Sequence, residues 1–215
     1  MNATAFILDN TTLLPVPLVP EIHLHLAHEA VPLWQKTEDE LGAIGLPPPF
    51  WAFAWAGGQA LARFVLDNPE TVRGKHVLDL ASGSGLVAIA AMQAGAAKAL
   101  AADIDAFAVA AISLNAQHNQ LCDFLEIIQY DLLQSPPQPF DTILVGDLFY
   151  EKTTAEKVFE WLTMAKANGA FILIGDPSRS YLPQDKLAKI AEYNVPVTRD
   201  LEDAEIKRTA VWRLV

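Results

Sequence analysis

The sequence predicts an α/β domain: a mostly parallel sheet covered by helices on both faces, preceded by an N-terminal cap. Three observations carry that prediction. From residue 57 onward, short apolar runs with strand composition alternate with longer segments of helical periodicity. A glycine pair, Gly83 and Gly85, separates the first such run from its helix. Finally, two strand-like segments close the chain, 195–201 and 206–215, with only the acidic turn E-D-A-E between them. Strands joined without a crossover helix pair antiparallel, so one antiparallel strand is expected at the end of the sheet.

Each element follows from local chemistry. In the cap, residues 1–56, F-I-L, D-N-T-T and L-L-P-V-P-L-V read as a short strand, a turn and a proline-stiffened return. E-I-H-L-H-L alternates polar and apolar residues and suits a strand with one buried face. V-P-L-W-Q-K-T-E-D-E-L reads as a short polar helix, with Thr37 and Glu40 as a capping box. The domain proper, residues 57–215, opens with a helix over 58–68 that Pro69 ends. Strand 75–80 and helix 86–94 flank A-S-G-S-G. Strand 97–102 ends at Asp103, helix 106–119 follows, then strand 125–129 and a proline-rich loop over 135–139. The apolar run F-D-T-I-L-V gives strand 140–145, followed by helix 154–167, strand 170–175 and a last helix over 183–193 before the closing strand pair.

Composition bounds the function. With 52% apolar and 19% charged residues, the chain has the make-up of a folded globule. A net charge of −11 argues against a broad nucleic-acid surface, which needs clustered Lys and Arg, and favours a cationic partner. The single cysteine, Cys122, excludes an internal disulfide and reads as a small core residue at a helix terminus. No basic residue precedes Lys36, and Pro15 and Pro17 break the apolar stretch behind it, so no secretory signal is expected. The alanine-rich run 86–102 carries Gln93 and Lys98 and is not read as a membrane span. A cytoplasmic protein is expected. His23 and His25 alternate on a strand, but no third ligand is placed, and His28, His76 and His118 stand alone; no metal site or catalytic histidine is expected.

V-L-D-L-A-S-G-S-G-L-V-A-I-A-A carries the most chemistry. Gly83 and Gly85 permit a tight turn and let backbone approach a ligand at a helix N-terminus. Asp103 ends the next strand twenty residues on, where a carboxylate accepts hydrogen bonds from a ribose. G-S-G-L-V-A also satisfies a dinucleotide pattern, so NAD is the competitor. Two features oppose it: Asp79, inside the strand end, suits an ammonium better than a pyrophosphate, and too little chain remains for a substrate domain. S-adenosylmethionine, with an amino group, a ribose and no phosphate, fits Asp79, the glycine loop and Asp103 together. Structural roles remain for each, since Gly-Ser-Gly turns occur without ligands and Asp79 would serve as a helix cap.

On these residues the chain from about Gly57 to Val215 resembles the seven-stranded, class I S-adenosylmethionine-dependent methyltransferases. The resemblance implies a Rossmann-like, doubly wound sheet and an Asp131 near the adenine amino group. G-D-L-F-Y-E follows the fourth strand, so Asp147 and Tyr150 belong at its carboxyl end, where open α/β sheets bind ligands. Their chemistry suits an amine acceptor: a carboxylate holds the ammonium, and an aromatic face or phenol orients the nitrogen. Phe149 and Glu151 are expected on the same acceptor side, although Asp147 would otherwise cap the next helix and the aromatics would simply pack. D-L-F-Y is similar to the acidic-x-x-aromatic motif of protein-lysine methyltransferases and lacks the prolines of the N-P-P-Y type.

P-P-P-F-W-A-F-A-W-A-G-G-Q, D-L-F-Y-E and G-D-P-S-R-S-Y-L-P together resemble, more narrowly, the lysine methyltransferases of the electron transfer flavoprotein beta subunit. That likeness implies a folded protein as substrate and a methylated surface lysine as product. Trp55 and Gly58 are then cofactor-side residues, and Trp51 lines the acceptor entrance, with Phe53 either beside it or packed as a staple together with Phe50. Arg179 either meets an acidic part of the substrate or pins its own loop. The alternatives are a class I methyltransferase for another protein such as a ribosomal one, for an RNA or for a small amine, and a nucleoside-binding module without catalysis.

Overall fold

A computed structural model describes residues 2–27, 48–121, 124–197 and 205–215. The expected helix over 31–41 with Thr37 and Glu40, together with His28 and Cys122, lies outside them.

The N-terminal F-I-L segment is a helix, α1 (Ala3–Asn10), and not the expected strand. Asn2 caps it, its Oδ1 accepting from the Ala5 amide at 3.3 Å, and Ile7 is its buried anchor. An antiparallel hairpin follows, β1 (Thr12–Val16) and β2 (Val19–Leu26). The next described elements are a 3-10 turn (Phe50–Ala52) and α2 (Ala56–Asp67).

The remaining described strands and α-helices are β3 (His76–Leu80), α3 (Leu86–Gln93), β4 (Lys98–Asp103), α4 (Ala106–His118), β5 (Leu125–Gln129), β6 (Thr142–Gly146), α5 (Lys152–Ala167), β7 (Phe171–Asp176), β8 (Leu187–Pro196) and β9 (Ile206–Leu214). The sheet has seven strands in the order β5-β4-β3-β6-β7-β9-β8. β3 to β7 pair in parallel, and β9 runs antiparallel between β7 and β8. The order reverses between β3 and β4 on one side and β6 on the other, which places a crevice at their carboxyl ends.

The expected helix over 183–193 is absent. A 3-10 turn (Gln184–Lys186) leads directly into the edge strand β8. The pairing with β9 shifts register between Lys189 and Ala191, a bulge that inserts Ile190. One extra residue converts strict alternation into Leu187, Ile190, Ala191 spacing, which imitates a helical period.

Successive sheet residues feed different cores. Val77, Ala99, Ala101, Leu144 and Leu173 join α2 and α3 in one, into which the hairpin also packs Val16, Val19, Ile22 and Leu24. Leu78, Leu100, Ile143, Val145 and Ile172 join α5 in the other. The N-terminal turn of α2 lies backbone to backbone on the ends of β6 and β7. A Cβ at Gly57 would collide with the Gly175 carbonyl and stand 2.5 Å from Asp147 Oδ2, and a Cβ at Gly146 would come 3.1 Å from the Gly58 Cα. Glycine at these positions is a requirement of close approach, and it seats α2 directly over the crevice. Among the described residues no helix is long and apolar enough to cross a membrane.

Candidate active site

A cleft of about 730 Å³ opens at the carboxyl ends of β3, β4 and β6. Among the described residues, five aspartates line it (Asp79, Asp103, Asp105, Asp131 and Asp147) against two cationic side chains, Lys157 and Arg179. A low-dielectric wall with that balance focuses a negative potential and favours a cationic ligand.

The first half is built by the β3–α3 loop. Ala81, Gly83 and Gly85 all adopt left-handed backbone, with φ of 54°, 56° and 85°, which turns the chain sharply after the strand. Gly83 lines the cleft with open space at its Cβ position, and its amide donates to Asp103 Oδ2 at 2.8 Å. Gly85 instead packs: its Cβ would press to 3.1 Å from Ile112 of α4. Asp79 is buried, and its Oδ2 accepts from Ser82 Oγ at 2.5 Å and from the Ala88 amide at 3.0 Å. It therefore caps α3 while lining the cleft. Burial raises its carboxyl to about 7 against those two hydrogen bonds, with the Asp103 charge adding to the rise. Asp103, also raised by burial, accepts from the Gly83 and Asp105 amides. Asp131 caps the 3-10 turn Leu132–Gln134, accepting from the Leu133 amide at 3.1 Å, and lines the same cleft.

The second half forms where β6 ends. Asp147 has left-handed backbone, φ 55°, and is nearly buried. Its Oδ2 accepts from the Gly58 amide at 2.9 Å, and its Oδ1 accepts from Arg179 Nε at 3.0 Å and Nη2 at 2.6 Å. The Arg179 guanidinium lies 5.8 Å from the Trp55 ring centroid. Among the described residues the guanidinium thus pairs with a site carboxylate, a third arrangement beside the two expected. Tyr150 is half exposed at the mouth, its ring centroid 5.5 Å from Phe50, and burial followed by the Asp103 and Glu151 charges pushes its phenol up.

Phe149 and Glu151 are placed away from the cleft lining, whereas Trp51, Trp55 and Gly58 line it as expected. Phe149 is fully buried in the α5-side core and does not line the cleft, because the left-handed turn at Asp147 sends alternate side chains of L-F-Y inward and outward. Glu151 caps α5, accepting from the Thr153 and Thr154 amides at 2.9 and 2.7 Å, which pulls its carboxyl down to about 2. Trp51 lines the cleft but is buried and stacks on Phe107, centroids 6.1 Å apart at 14°. Gly58 lines the cleft with its amide directed to Asp147. Trp55 caps α2, and its indole N–H donates to the Phe50 carbonyl at 2.9 Å. His118, expected to stand alone, lies 4.9 Å from the His25 ring. Asp176 escaped the sequence reading. It ends β7 as Asp103 ends β4, so its place at a parallel strand's carboxyl end was the available signal.

A carboxylate-lined crevice, with no Lys or Arg across residues 79–87, fits a ligand bearing an ammonium and a ribose better than a pyrophosphate. The sequence family described as ribosomal protein L11 methyltransferase (PrmA) matches residues 59–176. The chain is 40% identical over 200 residues to the electron transfer flavoprotein beta subunit lysine methyltransferase of Rattus norvegicus, covering 91% of this chain and 77% of that protein. With the Homo sapiens protein of the same description it shares 38% over 217 residues, covering 97% and 80%. The solved ribosomal protein L11 methylase of Lactobacillus delbrueckii superposes with a TM-score of 0.53 at 20% identity, over 76% of this chain and 81% of that one, a likeness of fold.

Proposed function

The chain belongs to the family of the electron transfer flavoprotein beta subunit lysine methyltransferases, and from that premise we propose that it transfers a methyl group from S-adenosylmethionine to lysine of the electron transfer flavoprotein beta subunit. It is a protein-lysine N-methyltransferase. The observation that carries the cofactor and site assignment is the single cleft in which Asp79, Gly83 and Asp103 share walls with Asp147 and Tyr150.

S-adenosylmethionine supplies an electrophilic methyl on a sulfonium. Asp79 holds its ammonium, Asp103 its ribose, Asp131 its adenine edge, and Trp55 and Gly58 wall its methionine end. On the acceptor side, Asp147 binds the lysine ammonium, while Tyr150, with Phe50 beside it, orients the nitrogen. A lysine with a reference pKa near ~10.4 must shed a proton before attack, and the open mouth at Tyr150 lets that proton leave to solvent. A cytoplasmic setting accompanies this reading.

The test is transfer from labelled S-adenosylmethionine to the purified flavoprotein beta subunit, to ribosomal protein L11 and to total RNA, followed by mass spectrometry of the labelled protein. Label on lysine of the beta subunit is expected. Asp147→Ala should retain cofactor binding and lose transfer. Label on RNA or on a small metabolite instead would refute the assignment. Ribosomal protein L11 is the second reading because the PrmA match spans residues 59–176.

A further inference from the structure

Asp176 is fully buried at the end of β7, yet its carboxyl is only half satisfied. Oδ1 accepts from the Arg179 amide at 2.7 Å and closes a turn that passes through Ser178 in left-handed backbone, φ 69°. Oδ2 has no hydrogen-bond partner among the described residues. Leaving such an oxygen dry is unfavourable, so its position calls for an explanation beyond the turn. Arg179, delivered by that turn, places Nε and Nη2 on Asp147 Oδ1. Asp176 therefore holds the backbone of the arginine whose side chain holds Asp147.

This arrangement has an electrostatic consequence. A guanidinium paired with Asp147 cancels the charge on which an incoming lysine ammonium would depend. A second carboxylate bearing on the same arginine restores it. We propose that Asp176 is a positioning residue of the acceptor end: it fixes Arg179 in the 176–179 turn and shares its positive charge, so that Asp147 keeps negative potential for the acceptor lysine. The inference rests on the reading of Asp147 as the ammonium-binding group. Burial first, with the Asp147 charge adding to it, raises the Asp176 carboxyl to about 7 against the Arg179 amide and guanidinium. Among the described residues Asp147 and Arg179 carry the charges that bear on it: β9 brings Ala210 alongside, and the first turn of α2, which covers Gly175, is uncharged. The acceptor end would then gain a negative charge as pH rises through neutrality.

The experiment compares wild type, Asp176→Asn, Arg179→Ala, their combination and Asp147→Ala in the full chain, with the flavoprotein beta subunit as acceptor, between pH 5.5 and 8.5. An asparagine oxygen still accepts the Arg179 amide, so the turn survives while the charge goes. Asp176→Asn should raise the acceptor KM about tenfold, a pKa-unit-sized effect, with kcat and cofactor Kd within about twofold. The same loss should appear in calorimetric binding of the acceptor without cofactor. The wild-type kcat/KM profile should bend near pH 7 beyond the steady rise from lysine deprotonation, and the variant should lack that bend. In the Arg179→Ala background Asp176→Asn should change KM less than about twofold, since the two act as one unit. Multiplying effects, or an unchanged KM and profile in Asp176→Asn, overturn the proposal. A wild-type profile without the bend overturns it even if the variant fails to fold. Asp147→Ala with full transfer overturns the acceptor reading and this inference with it. An inactive Asp147→Ala beside a silent Asp176→Asn overturns the inference alone.

Discussion

Substituting Asp79 by Asn isolates a carboxyl on which cofactor affinity and apo-protein stability should depend in opposite senses. Desolvation lifts this group from 3.8 to about 7, against the Ser82 hydroxyl and the Ala88 amide, with Asp103 adding repulsion. A rise of about three units corresponds to roughly 4 kcal/mol for ionising Asp79 in the empty cleft. The sign follows from linkage: the folded pKa lies above the unfolded one, so the stabilisation is complete below about 4 and is lost as pH rises through about 7. A ligand ammonium beside the carboxylate offsets the ionised form and lowers its pKa again. S-adenosylmethionine binding below neutrality should therefore release a proton, and its affinity should climb roughly tenfold per pH unit before levelling off near pH 7.

Asn at position 79 can present its amide oxygen to both existing donors, so the cap on α3 is retained. At pH 8 the ligand-free variant should melt several degrees above wild type, at about 2–4 °C per kcal/mol for a chain of this size. Its cofactor affinity should drop by about 100-fold, the loss of a charge-assisted contact. Calorimetry in two buffers of different ionisation enthalpy reads the released proton, and differential scanning reads the stability. Wild-type binding at pH 6 with no buffer-dependent heat, or an Asp79→Asn variant that binds as wild type does, would refute the reasoning.

Three further outcomes are expected. Gly57→Ala drives a methyl into the Gly175 carbonyl and toward Asp147, so it should lower stability by about 1–3 kcal/mol and reduce transfer as α2 lifts, read by melting and by initial rates. Glu151→Ala removes the cap on α5 and should lower the melting temperature while leaving the acceptor KM unchanged; a raised KM at unchanged melting temperature would instead give Glu151 a substrate role. Because the Glu151 carboxyl is held down at about 2, its cap is present above the ordinary value of 4.5 and fails only as pH falls through about 2. Trp51→Ala empties the stack on Phe107 and should cost about 3–5 kcal/mol of stability by chemical denaturation, whereas Trp51→Phe should be milder.

The parallel part of the sheet was legible because strands buried on both faces are uninterrupted apolar runs bounded by turns, as V-L-D-L and T-I-L-V are. β8 was not legible: an edge strand with exposed charges and a bulge at Ile190 loses the alternation that marks a strand. Nor was α1, whose F-I-L suits either period and is settled by the Asn2 cap and the burial of Ile7. Asp79, Asp103 and Asp147 could be placed at the cleft from sequence because each sits at the end of a parallel strand. Side-chain direction could not. Phe149 and Tyr150 are adjacent letters, and only the backbone at Asp147 decides that the first fills the core and the second meets the cleft.

The aromatic density of residues 50–55 follows from the glycine contact beneath it. With Gly57, Gly146 and Gly175 in backbone contact, α2 sits too close to the sheet to leave room for side chains under its first turn. The bulk that would ordinarily fill a helix–sheet interface is displaced to the segment just before the helix. There Trp51 stacks on Phe107 of α4, Phe50 reaches Tyr150, and Phe53 packs edge-on to Trp55 at 5.9 Å. One short segment thus ties α4 to Tyr150 across the cleft, while the Gly58 amide ties α2 to Asp147. Any movement of α2 must shift both walls of the cleft together. That coupling is why a single added methyl at Gly57 is expected to register in transfer as well as in melting.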